Sequence, residues 1–187
     1  MADAQGVEIS STLDGVEQAP DVVAEEAAER LRPSAEVQSL WFASAARPWR
    51  SLALVPASAE LDLGELSEDL REAATRAGVG VRLLDARAMT LDEAPFLLAR
   101  LAASSHETAR VLVALPHPIS QPAARALLEA SDSFLIFVPL GELPARNVQQ
   151  LVELCPRGRG LGAVAVHRKS RWSRRIAPRP SSGGRWG

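Results

Sequence analysis

Residues 110–139 read RVLVALPHPISQPAARALLEASDSFLIFVP, and their pattern decides the fold class. Arg110 to Leu115 (RVLVAL) is a short apolar run, the mark of a buried strand. Pro122 to Ala130 reads as a helix, with Ser120 in place to cap it. Ser133 to Pro139 (SFLIFVP) is a second strand, apolar on both faces. The same alternation runs outward in both directions. Upstream lies a strand at Ser51 to Pro56 (SLALVP). After it, Leu61, Leu63, Leu66, Leu70, Ala73, Ala74 and Ala77 fall at helical spacing over Leu61 to Ala77, and Gly78 ends that helix. Val81 to Leu84 is the next strand. Leu91 to Ala103 is a helix in which Pro95 must occupy the first turn or break it. Downstream come a helix at Leu143 to Leu154 and a strand at Gly162 to Val166. Val22 to Leu31 and Ala35 to Ala45 also look helical, with Pro33 between them. Val37, Leu40, Trp41 and Ala45 can pack on the sheet, and Trp41 and Trp49 read as core or edge packing.

Five strands alternating with helices, apolar on both faces, predict an α/β fold. Its centre is a mostly parallel sheet with helices on both faces and right-handed crossovers. Ligands of such sheets sit beyond the C-terminal ends of the strands. The loops that follow each strand are therefore the places to look for a site.

The chain has 187 residues, enough for one ordinary domain with tails. It contains no tyrosine, and its single lysine is Lys169. Residues 1–168 thus offer no lysine to hold a phosphate, form a Schiff base or act as a base, and no tyrosine can serve as acid, nucleophile or phosphate acceptor. Cys155 is the single cysteine, which excludes an intramolecular disulfide framework and points to a reducing compartment. His106, His117 and His167 lack the close spacing of a metal cluster, so no metal and no cofactor are expected. The N-terminus lacks a signal-peptide pattern, and the longest apolar run, Phe134 to Leu140, falls far short of the roughly 20 residues of a membrane span. These features predict a cytoplasmic protein.

The net charge of −2 hides a polarity. Residues 1–30 carry eight acids and one base, whereas residues 168–187 carry seven bases and no acid. Three segments follow: an acidic segment at 1–32, partly helical or disordered; an α/β domain at 33–167; and a disordered basic tail at 168–187. Arg168, Lys169, Arg171, Trp172, Arg174 and Arg175 make that tail suited to an anionic membrane, a nucleic acid or an acidic protein patch. A solvated tail is the plain alternative.

After the first strand comes PASAELDLGELSEDL. A phosphate-cradling loop needs glycines, a lysine, and a serine or threonine for magnesium. This loop keeps Ser58 and Gly64, has no lysine, and runs into six acids from Glu60 to Glu72 that repel a polyanion. Asp62 is placed to cap the following helix. After the second strand, Asp85 can orient water or magnesium, but Arg87 beside it favours a salt bridge. After the third strand, Ala114 and Leu115 stand where an ATPase would carry a metal-associated carboxylate. His117 is the one histidine at this edge, and no Ser–His–Asp or Cys–His arrangement accompanies it.

The order of these pieces resembles the deviant-Walker P-loop ATPases, the MinD and ParA family. Within that family it resembles the bacterial tyrosine kinases that act with polysaccharide chain-length regulators, the CpsD/CapB group. The similarity covers residues 33–167. It rests on PSAEVQSLWFASAARPWRSLALVPAS at 33–58, AGVGVRLLDAR at 77–87, VLVALPHP at 111–118, ARALLEASDSFLIFVPLGELPARNVQQLVEL at 124–154 and GLGAVAVHR at 160–168. It implies a P-loop NTPase-like three-layer sandwich. The departures decide the function. The family's phosphate-loop lysine and glycines are absent between Ser58 and Leu70. Asp85 matches one aspartate of a pair, and Arg87 replaces the other. Ala114 replaces the aspartate of the third strand. Glu36 is followed by Ser39 and Phe42 where the kinases carry a Glu-x-x-Arg-x-x-Arg self-association helix. The tyrosine-rich tail is replaced by an Arg/Trp tail. Ser58, Gly64, Asp85, Ala114 and His117 therefore mark a degenerate nucleotide site with no catalytic residue.

The expected function is that of a noncatalytic pseudo-ATPase that binds or regulates another protein in polysaccharide synthesis or export. The resemblance implies as partner a membrane-associated chain-length regulator or an active homologue, met at the inner face of the membrane. A positioning factor of the ParA/MinD branch, binding DNA or membrane through its tail, is the alternative. An enzyme using Asp85 and His117 is a third reading.

Overall fold

A computed structural model describes residues 33–104, 108–141 and 143–167. The elements run α1 (Ala35–Ala45), β1 (Ser51–Pro56), α2 (Gly64–Arg76), β2 (Val81–Asp85), α3 (Ala94–Ser104), β3 (Arg110–Ala114), α4 (Ala123–Ala130), β4 (Ser133–Pro139), α5 (Ala145–Leu154) and β5 (Gly160–Val166). All five strands are parallel, in the order β2-β3-β1-β4-β5. The chain crosses β3 on its way from β1 to β2, and crosses β1 on its way from β3 to β4. These two crossovers run in opposite directions along the sheet, and right-handedness then places their helices on opposite faces.

The burial pattern shows those two faces. Leu52, Leu54, Leu112, Leu135 and Phe137 pack with Val37, Trp41, Leu66 and Leu70 of α1 and α2. The alternate residues Ala53, Val55, Val111, Val113, Phe134 and Ile136 pack with Leu97, Leu101, Leu127, Leu128 and Leu151 of α3, α4 and α5. Period-two alternation within each strand thus feeds two cores, which is why the central strands read as unbroken apolar runs. Every residue of β1 is buried.

Local chemistry sets the ends of the elements. In α1, Ser34 Oγ accepts the Val37 amide at 3.4 Å. Trp41 on that helix meets Trp49 edge-on, with ring centroids 5.9 Å apart, and the Trp49 Nε1–H donates to the Ser44 carbonyl at 2.8 Å. Both tryptophans are core residues, as their positions in the sequence suggest. Helix α2 ends at Arg76, and Gly78 beyond its cap Ala77 has a φ of 75°, which suits a residue without a Cβ.

Several boundaries differ from the sequence reading: α2 starts at Gly64 rather than Leu61, and α5 at Ala145 rather than Leu143. Helix α3 starts at Ala94 rather than Leu91, after a turn in which Glu93 accepts the Thr90 amide at 2.8 Å and its hydroxyl at 3.0 Å. Pro95 then falls in the first turn, where no donor is needed. Helix α4 is not capped by Ser120: that hydroxyl donates to the His117 carbonyl at 3.0 Å, and Pro122 leads into the helix without a side-chain cap. Strand β5 begins two residues earlier than the apolar run suggests, with an irregularity opposite Phe134 and Leu135. Among the described residues, no helix is long and apolar enough to cross a membrane. The helix expected at Val22 to Leu31 lies outside the described residues.

Candidate functional site

The C-terminal ends of β1, β2 and β3 carry an open cleft of about 770 Å³. Its place follows from the topology: β1 sends its chain to one face and β3 to the other, so a crevice opens between their ends. Pro56 and the loop from Ala59 to Asp62 form one wall, Asp85 and Arg87 another, and Leu115 to His117 the floor beside Met89, Phe96 and Leu97 of the α3 side.

The strongest electrostatic feature is a clamp on Arg87. Its Nε donates to Asp85 Oδ1 at 2.9 Å and its Nη2 to Asp85 Oδ2 at 2.8 Å, a bidentate fork. Its Nη1 donates to Asp62 Oδ1. The same Asp62 oxygen accepts the Gly64 amide at 2.9 Å, at the start of α2. One chain of contacts therefore runs from the N-terminus of α2 through a carboxylate and a guanidinium to the end of β2. Gly64 makes room for it. A Cβ on that residue would meet the Arg87 guanidinium, so a side chain at this position requires the arginine to shift.

The clamp holds the Asp85 carboxyl below the usual carboxylate range. Hydrogen bonds from the Arg87 side chain are the main cause, and burial opposes them. The same partners push the Arg87 guanidinium further up. Because Asp85 titrates lower in the folded chain than in the unfolded one, its stabilising contribution is present above about pH 4 and is lost as pH falls through its depressed value. Urea unfolding at pH 5 and pH 3 tests this. Asp85→Asn should be less stable than the parent at pH 5, and the gap should narrow at pH 3. A gap of constant size would show that the pair does not respond to pH.

The residues singled out in the sequence separate into two groups. Asp85 and His117 line the cleft. Ser58, Gly64 and Ala114 are buried beneath or beside it. The Ser58 hydroxyl bonds Glu60 Oε2 and accepts the Glu60 amide at 3.2 Å, so it closes its own turn. His117 contacts Ser120 Oγ through Nδ1 at 3.3 Å. Burial lowers its pKa, against a smaller upward pull from Glu60. Asp62 is not the cap of α2, whose N-cap is Leu63 without a side-chain bond; it accepts the single amide of Gly64, and its second bond, to Arg87, spans 25 residues of chain and has no local signal in the sequence. Among the described residues, no group of three or more His, Cys, Asp or Glu side chains is placed to hold a metal ion. His106 and the tail residues Arg168, Lys169, Arg171, Trp172, Arg174 and Arg175 lie outside the described residues.

No protein-family model and no curated protein matches the sequence. Solved structures do match its shape. A structure titled "BceF Tyrosine Kinase Domain" superposes with a TM-score of 0.58 at 15% identity, over 78% of this chain and 86% of that one. The fold is that of a bacterial tyrosine kinase domain. A putative fructose transport system kinase from Silicibacter sp. TM1040 gives a TM-score of 0.40 at 14% identity, over 62% of this chain and 78% of that one.

Proposed function

We propose that this domain is a noncatalytic, pseudo-ATPase member of the tyrosine-kinase-like fold that acts by binding another protein. The supporting observation is the state of the α2 entry. In a phosphate loop the lysine and the magnesium-binding hydroxyl stand at the start of this helix, and glycines let backbone amides reach the phosphates. Here the helix entry holds Leu63 and Gly64, and Leu63 is 2% exposed in the core. The Gly64 amide already donates to Asp62, and Arg87 fills the space over Gly64. Ser58 is engaged with Glu60. A polyphosphate would also face the carboxylates of Glu60, Asp62 and Asp85 in the cleft wall. The residues present do not fit a magnesium nucleotide, and phosphoryl transfer depends on the positive groups that are missing.

A domain of this kind works through its surface. The resemblance to the polysaccharide kinases supplies the setting: a membrane-associated chain-length regulator or an active homologue as partner, at the inner face of the membrane. The basic tail adds a contact to anionic groups there.

Equilibrium binding of labelled ATP and ADP with magnesium tests the reading. No saturable site should appear below millimolar concentration. Micromolar nucleotide binding would overturn it.

A further inference from the structure

We propose that the cleft is a docking groove for a basic, tryptophan-bearing peptide, and that its occupant is residues 168–175 of the same chain. This goes beyond the reading of the domain as noncatalytic, because it names what the cleft holds.

The cleft of about 770 Å³ combines an exposed aromatic surface with an excess of negative charge. Phe96 of α3 lines it and is 64% exposed. The Arg100 guanidinium lies 5.8 Å from the Phe96 ring centroid, so this ring already receives a cation. Four carboxylates, of Glu60, Asp62, Asp85 and Glu93, line the cleft against two guanidiniums, of Arg87 and Arg100. The Asp62 and Asp85 side chains remain 61% and 48% exposed even with Arg87 between them. The carboxylates that repel a polyphosphate attract a polycation. An aromatic platform beside carboxylates suits a peptide that sets a large ring among arginines.

Such a segment follows β5. Residues 168–175 read RKSRWSRR, with five bases, no acid, and Trp172. The topology delivers them to the right edge. All strands are parallel, so β5 ends on the same edge of the sheet as the cleft. Its last residue, Val166, lies beside Leu140, whose amide donates to the Val166 carbonyl at 2.9 Å. Only β4 separates β5 from β1. At about 4.8 Å per strand, the crevice between β1 and β3 begins about 10–15 Å from β5. His167 is the last described residue. An extended chain advances about 3.3 Å per residue, so Trp172 reaches about 16 Å from His167, and Arg174 and Arg175 reach further. Leu140, 43% exposed, offers apolar surface at the start of this path. A tether this short holds the segment at an effective concentration on the order of 1 mM, so a weak contact suffices to fill the cleft. A seated tail is withheld from other anions, so the cleft and an anionic surface compete for the same arginines.

The test is fluorescence anisotropy of a labelled peptide of residues 168–178 (RKSRWSRRIAP). It is titrated with the full chain and with a full-length variant carrying Arg171→Ser, Trp172→Ser, Arg174→Ser and Arg175→Ser, whose tail no longer competes. The variant should bind the peptide with a Kd of about 50 µM, and the parent about 20-fold more weakly, the ratio set by an effective concentration on the order of 1 mM. Phe96→Ala, added to the variant, should weaken binding about fivefold or more with little change in Tm, because the ring is exposed. Equal binding to parent and variant, binding to neither, or binding indifferent to Phe96→Ala would overturn the proposal. A parent that blocks the peptide only at concentrations where it dimerises would seat the tail in a second copy and overturn docking within one chain. Micromolar ATP binding would instead overturn the pseudo-ATPase reading, so the two failures are distinguishable.

Discussion

Phe137→Ala is expected to lower the unfolding free energy by about 3–5 kcal/mol, the range for deleting a buried aromatic side chain. Phe137 has no exposed surface and sits on the second central strand, β4, in the core formed with α1 and α2. Its neighbours there are backbone-locked strand residues and helix side chains such as Leu54 and Leu66, so the space left by the ring collapses poorly. The position also supports the site. Phe137 pairs with Pro56 at the end of β1, and its carbonyl accepts the Ala57 amide at 2.9 Å, the first residue of the loop that carries Ser58 and Asp62. A cavity here lies beneath that loop as well as within the sheet. Phe42→Ala is the control: its side chain is 63% exposed on α1, and its removal should change stability by less than about 0.5 kcal/mol. The comparison is read from denaturant midpoints, with the slope held as a check on two-state behaviour. Equal effects for the two phenylalanines would mean that the β4 face is not the packed core described here.

The central sheet is legible in the sequence because its strands are buried on both faces. Ser51–Pro56 and Ser133–Pro139 have the same bounds in the sequence and in the structure, since an apolar run that feeds two cores starts and stops sharply. The edge strand β5 is less legible. Gly162, Ala163 and Ala165 are exposed and pack little, so the pattern that marks its start at Gly160 is weak. Helix starts are misplaced where side chains choose between local partners. Ser120 bonds back to His117 instead of capping α4. The candidate site is legible in its parts but not in its assembly. Asp85 with Arg87 can be read from two positions separated by a single residue. Asp62 with Arg87 cannot, because only the crossover that brings the β1–α2 loop over the end of β2 makes them neighbours. Strand order decides that, and no motif in the sequence encodes it.

Ala114→Asp places at the end of β3 the carboxylate that the resemblance to P-loop ATPases leads one to expect there, and it is expected to cost stability without conferring nucleotide binding. Ala114 has no exposed surface. It lies between Leu54 of β1 and Asp85 of β2 in the sheet, and its carbonyl accepts the Ala86 amide at 2.9 Å. By strand alternation its Cβ shares the face of Leu112, toward α1 and α2. A carboxylate there enters an apolar layer. Arg87, a cation at this sheet edge, is already shared between Asp62 and Asp85. Leaving a buried charge uncompensated costs on the order of 3–5 kcal/mol. Burial raises the carboxyl's pKa in the folded chain above its unfolded value, so the penalty is full above the folded pKa and falls away toward the unfolded value near 4. The loss measured at pH 7 should therefore shrink at pH 4. ATP with magnesium should still show no saturable binding to the variant, because the lysine and the open α2 entry remain absent. A variant as stable as the parent that also binds the nucleotide would place this site one substitution from competence, and the noncatalytic reading would fall with that result.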